Sequence, residues 1–379
     1  MSLDKRKLSI ITLTHIVTDS YTAFIPLAVP VLIEKYNFSV ALAGSLGVIL
    51  SLSTNLPQPF FGYIFDKTKR YLIFLAPLLS SLFVGTAVLM PNYGLMVLFL
   101  IIGGIGVAMF HPEATHIAKN SQKSKGSLAM SIFLAGGTGG YAFGGFIAAI
   151  LIKLFGLYGL AFSVIFGVYA SYILLVNKKI LVEQKEETVH AVRKEDLKEV
   201  NSLPQFLLLF FIVTIIVSLS STIGMYLPAY LKQKGMDITV AGLSFMCYIL
   251  PGSLGGIVVG RYFTKYNAKL LIILTQILSV VFLYAMLYFP SPYFLLVIPF
   301  AGACQLSSFP MLVSQSYTFL PKNKGVAAGS IIGLTWGLAS ILIFITGLLS
   351  DYGGSISYAF KIISILPVFA VLLLLKLKI

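Results

Sequence analysis

The stretch VAMFHPEATH, residues 107–116, closes an otherwise apolar segment that begins near Tyr93. An ionisable side chain in lipid costs several kcal/mol unless it faces protein or a water-filled cavity, so such a residue indicates a functional site. Two acids lie well inside apolar segments of the chain, Glu113 and Asp19. His15 stands four residues before Asp19, so both side chains share one helix face. We therefore ask what kind of membrane protein could use these groups.

The composition excludes a soluble globular protein. Hydrophobic residues make up 58% and charged residues 11% of the 379 positions, whereas a soluble domain has about 25% charged residues. About 20 apolar residues cross the hydrocarbon as one helix, and an open strand cannot satisfy its backbone there. We predict an all-α polytopic membrane protein with twelve transmembrane helices. Their approximate positions are residues 8–34, 40–64, 71–90, 93–119, 125–153, 157–178, 204–231, 238–262, 268–288, 292–318, 325–349 and 355–377.

The net charge of +14 is explained by membrane topology. Most of the Lys and Arg residues fall in both termini and in the even-numbered loops, which lie on one side of the predicted helices. An excess of basic residues marks the cytoplasmic side of a membrane. We therefore predict a multi-pass protein of the cytoplasmic (inner) membrane with both termini in the cytoplasm. The basic charge requires no nucleic acid partner.

The chain repeats itself at an offset of 198 residues. This offset superposes Pro30 on Pro228 and Pro112 on Pro310. Each half then holds six helices, and because six is even the two bundles are parallel. We predict an amino-terminal bundle at residues 1–178, a cytoplasmic linker at 179–203 and a carboxyl-terminal bundle at 204–379.

The second loop carries a resemblance to known proteins. Residues 62–70 read GYIFDKTKR, a glycine, an aspartate four positions on and then basic residues. Together with the parallel halves, this resembles the signature of the major facilitator superfamily, which implies two bundles rocking about a midplane site. It also implies a conformational latch made of Gly62, Asp66, Lys67, Lys69 and Arg70. The second half has Thr264 where the aspartate would be, so the charged latch is expected in the first half alone. The alternative is a basic loop that only sets topology.

Within the superfamily, the first half resembles the fosmidomycin-resistance group of drug exporters, and the second half follows only the general superfamily pattern. The residues that carry the resemblance are His15, Asp19, Pro26, Pro30, Gln58 to Tyr63, Gly104 to Ala114, Ser131 to Phe133, Gly136 and Gly137. This resemblance implies a proton-driven antiporter for drug efflux, with a role in antibiotic resistance.

Four ionisable residues are the candidates for proton coupling: His15, Asp19, His111 and Glu113. In the resembled fold helices one, four, seven and ten line the cavity, and counting residues places His15 and His111 at similar depth. A histidine and a carboxylate in a low-dielectric pocket can exchange a proton near neutral pH. One alternative is that His15 and Asp19 only tie helices together. The other is that His111 and Glu113 lie at a helix end facing the cytoplasm.

The second half offers neutral polar groups in place of deep charges. We expect Tyr226 and Gln305, with Gln58 from the first half, to supply hydrogen bonds to a substrate in the cavity. The glycine run at residues 136–145 indicates close helix packing, with a resemblance to an antiporter motif as the other interpretation. Cys247 and Cys304 are expected to be packing residues.

The leading functional hypothesis is proton-coupled efflux of a small drug-like or anionic molecule. An importer of a small nutrient is the alternative within transport. His15 to Asp19 also reads HxxxD, a pattern known from membrane acyltransferases, but that pattern is short and gives no reason for the repeat. We therefore expect no enzyme, cofactor or metal site, and a monomer whose partners are a small-molecule substrate, protons and the lipid bilayer.

Overall fold

A computed structural model describes residues 4–68, 71–121, 126–182, 202–263, 267–290, 292–321, 327 and 329–378. Regular structure within these ranges is helical, without strands. The membrane helices of the first half are α1 (Lys5–Tyr36), α2 (Val40–Asn55, continued by Gln58–Thr68), α3 (Leu75–Ala87), α4 (Tyr93–Asn120), α5 (Gly126–Phe155) and α6 (Val164–Val176). Those of the second half are α7 (Leu203–Gln233), α8 (Ile238–Phe263), α9 (Ala268–Tyr288), α10 (Ile298–Leu306, continued by Phe309–Phe319), α11 (Ser330–Tyr352) and α12 (Ile356–Lys376).

The predicted number of crossings is confirmed. Ten helices in the described ranges are long and apolar enough to cross a membrane. One of them, Ala129–Val176, has 48 residues and contains both α5 and α6 around the short turn Gly156–Tyr158. The shorter apolar helix α3 adds the remaining crossing. The predicted linker begins with a helical turn at Lys178–Val182, and residues 183–201 lie outside the described ranges.

Polar residues between the apolar runs fix where the helices begin. The Ser39 hydroxyl accepts a hydrogen bond from the Leu42 amide at 3.1 Å at the start of α2. The Asn92 side chain accepts one from the Leu95 amide at 2.9 Å at the start of α4. Such caps satisfy amides that have no partner within the helix, so the helix starts follow the sequence closely.

The turns at one end of the bundle repeat the sequence offset. The described residues with positive φ are Asn37 (51°), Gly156 (63°), Gly235 (78°) and Gly354 (70°). Asn37 and Gly235 are 198 positions apart, as are Gly156 and Gly354, so equivalent turns of the two halves share a left-handed residue. We call the end that carries these turns the far end, and the opposite end, with both termini, the basic end.

Two predicted helices are interrupted, α2 between Asn55 and Gln58 and α10 between Leu306 and Phe309. The span predicted at 292–318 contains a break at Ser307–Ser308, after which α10 resumes with Pro310 in its first turn. Proline has no amide hydrogen and is best accommodated at a helix start, where that hydrogen would have no partner. The hydrophobicity of the segment gave no indication of this break.

The two halves meet chiefly through α2 with α11, α5 with α8 and α1 with α7. The α2 segment in contact with α11 is Val40–Asn55, toward the far end, whereas Gln58–Thr68 packs against α4 of its own half. At the far end the contact is dense, since a Cβ on Gly242 of α8 would lie 2.3 Å from the Ala149 Cβ of α5. The far end is therefore closed between the halves.

Candidate functional site

Helix α1 brings His15 and Asp19 together one turn apart. The His15 Nε2 and Asp19 Oδ2 atoms are 3.0 Å apart, and the side chains are 3% and 18% exposed, respectively. The helical spacing of four residues accounts for this contact. The first predicted pair is thus assembled as the sequence indicated, and its carboxylate keeps access to water.

Helix α5 fixes the orientation of the His15 ring. The His15 Nδ1 atom lies 2.9 Å from the Phe133 carbonyl oxygen, and the imidazole stacks on the Phe133 ring with centroids 4.1 Å apart. Phe110 of α4 also contacts the imidazole, at 5.4 Å between centroids, and lies 6.5 Å from the Phe133 ring. Two aromatic rings and one backbone acceptor therefore hold His15 in a single orientation.

Helix α4 contributes His111 to the same cluster. The His111 Nε2 atom lies 3.6 Å from Asp19 Oδ1, and the imidazole is 23% exposed. The rings of His15 and His111 meet edge to face, with centroids 5.3 Å apart. Asp19 is therefore flanked by two imidazoles, one on each carboxylate oxygen. We call His15, Asp19 and His111 the proton cluster.

Glu113 lies apart from this cluster, so the structure does not bring it together with His111, and its role in proton coupling stays a prediction. Residues two apart on a helix differ by about 200° in direction, so the two side chains leave α4 on opposite faces. The Glu113 carboxylate is 5% exposed and accepts hydrogen bonds from the amides of Leu72 (3.4 Å) and Ile73 (3.2 Å). It ties the segment before α3 to α4, which is a structural contact.

The glycine run of α5 packs against α1, which confirms its interpretation as a packing element. A Cβ on Gly140 would lie 2.3 Å from the Ile16 carbonyl oxygen, and one on Gly144 would lie 2.4 Å from the Ser20 carbonyl oxygen. A Cβ on Gly137 would lie 2.5 Å from His15 Nε2 and 2.8 Å from Asp19 Oδ2. The absence of a side chain at residue 137 is therefore what leaves room for the proton cluster.

The hydrogen positions in the cluster follow from its acceptors. The Phe133 carbonyl can only accept, so Nδ1 of His15 carries a hydrogen. In a neutral ring Nε2 would then be a bare acceptor facing the Asp19 carboxylate, another acceptor, at 3.0 Å. Two acceptors in a buried site repel each other, so the contact is favourable only when the pair holds one extra proton, on His15 or on Asp19.

The cluster is also compact enough to surround a metal cation. One donor atom from each of the three side chains lies within 4.8 Å of the other two. Imidazole and carboxylate are ligands that several transition metals accept. A test of the proton assignment must therefore include a chelator.

The three neutral residues expected in the cavity make contacts within the protein. Gln58 Nε2 donates to the Thr54 carbonyl at 3.0 Å on its own helix. Gln305 is fully buried and its Nε2 donates to the Ile216 carbonyl of α7 at 3.0 Å. The Tyr226 hydroxyl is likewise buried at the far end. Tyr226 and Gln305 thus pack helices together in this conformation, and their role toward substrate remains a prediction.

The predicted latch is described only in part. A Cβ on Gly62 would be 3.7 Å from Pro112 of α4, an ordinary contact, so close helix approach does not require glycine there. The Lys67 ammonium lies 5.0 Å from the centroid of the Tyr63 ring. Asp66 belongs to α2, but its side chain lies outside the described residues, as do Lys69 and Arg70. The latch assignment stays a prediction.

Comparison with known proteins gives a family profile and relatives that are similar over most of their length. The profile of the Major Facilitator Superfamily matches residues 10–344, with a further match over residues 210–378. The Fosmidomycin resistance protein of Escherichia coli (strain K12) is 25% identical over 395 aligned positions, which cover 96% of this chain and 91% of that protein.

Solved structures show the same fold at low sequence identity. A bacterial homologue of the human lysosomal transporter Spinster, inward-facing and occupied, has a TM-score of 0.79 at 13% identity and covers 100% of this chain and 97% of its own. A D-xylose-proton symporter has a TM-score of 0.79 at 14% identity, with 100% and 98% covered. At such identities the likeness extends to the fold alone.

Proposed function

The chain belongs to the major facilitator superfamily, and from this premise we propose that it is a proton-coupled antiporter that exports a small drug-like or anionic molecule. It is a membrane transporter and not an enzyme, so the acyltransferase interpretation of His15 and Asp19 is set aside. We place it in the cytoplasmic membrane with both termini inside, because the basic loops cluster at the end that holds the termini. We also propose that it works as a monomer.

The observation that carries the coupling proposal is the proton cluster. Its His15–Asp19 contact at 3.0 Å is favourable only with an extra proton, and both Asp19 and His111 remain partly exposed. Because the far end is closed between the halves, that exposure is toward the basic end, which we assign to the cytoplasm. The described conformation is then inward-facing with a proton bound. Release of this proton to the cytoplasm would change the charge at the centre of the bundle and bias the two halves toward their other arrangement.

Export is supported by the relative named as a fosmidomycin resistance protein. Proton-coupled import is the second candidate, because the same cluster of one carboxylate and two imidazoles can serve a symporter. Both use one proton site and differ in the direction of the substrate relative to the proton. The direction of transport under an imposed gradient therefore separates them.

The test uses purified protein in proteoliposomes with fosmidomycin as the probe. An antiporter accumulates the probe when the lumen is acidic, because outward proton flow drives entry of the probe. A symporter accumulates it when the external medium is acidic. Accumulation only with an acidic exterior would overturn export, and accumulation that needs an added divalent metal and is abolished by EDTA would overturn the proton assignment.

A companion measurement does not depend on the probe. Proton release on an alkaline pH jump, followed with a pH-sensitive dye in detergent, is compared between the wild-type protein and Asp19→Asn. We expect the wild-type protein to release about one more proton per molecule, because the His15–Asp19 contact is favourable only with an extra proton. Equal release would remove the cluster as the proton carrier.

The cluster geometry predicts different outcomes for two neighbours on α4. His111→Gln should flatten the pH profile of transport, because His111 faces Asp19 at 3.6 Å. Glu113→Gln should leave the pH profile of transport unchanged. It should lower the free energy of unfolding by about 1 kcal/mol, since the glutamine side chain keeps one oxygen acceptor but loses the second oxygen and the charge. Proton flux against external pH, with a thermal unfolding curve for each variant, checks both. A flattened profile in Glu113→Gln would return this residue to the coupling mechanism.

The latch asymmetry makes a separate prediction. Asp66→Asn should lower the transport rate by about tenfold, as expected for loss of a carboxylate that can act on a helix terminus or a base. Thr264→Ala should stay within about twofold, because a threonine carries no charge to lose. Initial rates at matched expression decide between the two, and similar losses in both variants would contradict a charged latch confined to the first half.

A further inference from the structure

Besides the contact of α1 with α7, the closed far end has two seams that are equivalent under the internal repeat. One joins the end of α5 to the start of α8, and the other joins the end of α11 to the start of α2. Lys153 of α5 and Asp351 of α11 are 198 positions apart, as are Ser39 before α2 and Asp237 before α8. The repeat therefore places four residues in corresponding positions, with different chemistry in each seam.

The α5–α8 seam is joined by an exposed ion pair. The Lys153 ammonium contacts the Asp237 carboxylate, and their side chains are 53% and 39% exposed. Lys153 and the Thr239 hydroxyl and amide hold the pKa of Asp237 well below its usual range, so this carboxylate stays charged throughout the physiological range. Exposed pairs contribute little because water and salt screen them.

The α2–α11 seam is joined by a carboxylate on a helix terminus of the other half. Asp351 Oδ1 accepts from the Val40 amide at 2.7 Å, and Oδ2 accepts from the Ala41 amide at 2.9 Å. These are the first two amides of α2, which have no partner within the helix. The negative charge also lies at the positive end of that helix. Both carboxylate oxygens of one half are thus engaged by the backbone of the other.

A buried tyrosine completes the same seam. The Tyr226 hydroxyl of α7 donates to the Ile343 carbonyl of α11 at 3.0 Å. A Cβ on Gly44 of α2 would lie 1.7 Å from this hydroxyl oxygen, and one on Gly347 of α11 would lie 2.7 Å from it. The position equivalent to Tyr226 in the first half is Ala28, so the α5–α8 seam lacks this ring. In its place Phe245 of α8 packs on α5, where a Cβ on Gly145 would lie 2.4 Å from the ring, so the two seams differ in chemistry.

We propose that Asp351 is the latch of the far end: its cap on α2 holds the two halves closed there, and opening that end requires the cap to be released. This inference rests on the fold and on the seam contacts, and it holds for either direction of transport. It adds a positioning residue in the second half to a protein whose proton cluster lies in the first. The expected consequence is that loss of Asp351 increases the fraction of molecules open at the far end.

The reporter is the substitution Met225→Cys, made in a chain that also carries Cys247→Ser and Cys304→Ser. Met225 is 3% exposed, and its methyl carbon would be 2.6 Å from a Cβ on Gly47 of the other half. A smaller cysteine fits there and becomes reactive only when the halves part. The labelling rate with a bulky maleimide is measured on purified protein in detergent.

Asp351→Ala should raise the labelling rate by about tenfold, and Asp351→Asn, which keeps one acceptor, by a smaller factor. Lys153→Ala, at the equivalent position of the other seam, should stay within about twofold. Ser39→Ala is the matched control for helix capping, because Ser39 caps the same helix from its own half at 3.1 Å. It should leave the labelling rate unchanged.

The proposal is overturned by either of two outcomes. An Asp351→Ala rate within twofold of the parent shows that the cap does not hold the far end closed. An equal increase in Ser39→Ala shows that Asp351 acts only as a helix cap. If Asp351→Ala does not yield folded protein, the comparison of Asp351→Asn with Ser39→Ala gives the same decision.

Discussion

Asp19→Asn is expected to abolish proton-driven transport while the protein stays folded. The carboxylate lies 3.0 Å from His15 Nε2 and 3.6 Å from His111 Nε2, so it is the group shared by both imidazoles. An asparagine amide can donate to the bare nitrogen of His15 and so satisfies the contact without an extra proton. We expect gradient-driven flux to fall by about 100-fold, the scale seen when a positioned proton carrier is removed.

The measurement compares two assays on the same proteoliposomes. Gradient-driven accumulation should disappear, whereas exchange of the test compound across the membrane without a gradient should survive, because exchange needs binding but no net proton movement. Glu34→Gln is the control for the same chemical change at an exposed site, where the pair with Lys232 at 3.6 Å contributes little. Accumulation at the wild-type level in Asp19→Asn would remove the cluster from the mechanism.

Gly137→Ala is expected to have the second largest effect. The added methyl would lie 2.4 Å from His15 Cε1 and 2.5 Å from Nε2, well inside van der Waals contact. Overpacking of this kind costs about 1–3 kcal/mol, and the His15 ring cannot yield easily because Phe133 and Phe110 hold it. We expect the transport rate to fall by about tenfold or more through displacement of the His15–Asp19 pair.

Gly139→Ala is the matched control on the same helix. A Cβ at Gly139 meets nothing within 4 Å, so this substitution should leave transport within about twofold and can stabilise α5 slightly. The pH profile of each variant distinguishes displacement of the pair from general destabilisation. A Gly137→Ala protein with a wild-type rate and profile would show that the cluster does not depend on this space.

The sequence alone determined the crossings, the repeat and the most local part of the site. The length of each apolar run in a membrane protein must match the thickness of the lipid hydrocarbon. The twelve helices therefore follow from composition and length. The offset of 198 found in the sequence recurs in the left-handed turns, for example at Gly156 and Gly354. His15 and Asp19 could be paired because the helical period fixes which residues share a face.

The tertiary structure decided which helix faces meet. The sequence placed His111 and Glu113 together, but their directions on α4 differ by about 200°, so one joins Asp19 and the other accepts the amides before α3. Gly137 could be assigned to packing, yet only the arrangement of α5 against α1 shows that it makes room for the pair. The repeat could have pointed to Asp351 through its counterpart Lys153, but no periodicity reveals that it caps a helix of the other half. Period and hydrophobicity are properties of one segment, whereas the rotation of each helix toward its neighbours is set by how all twelve pack together.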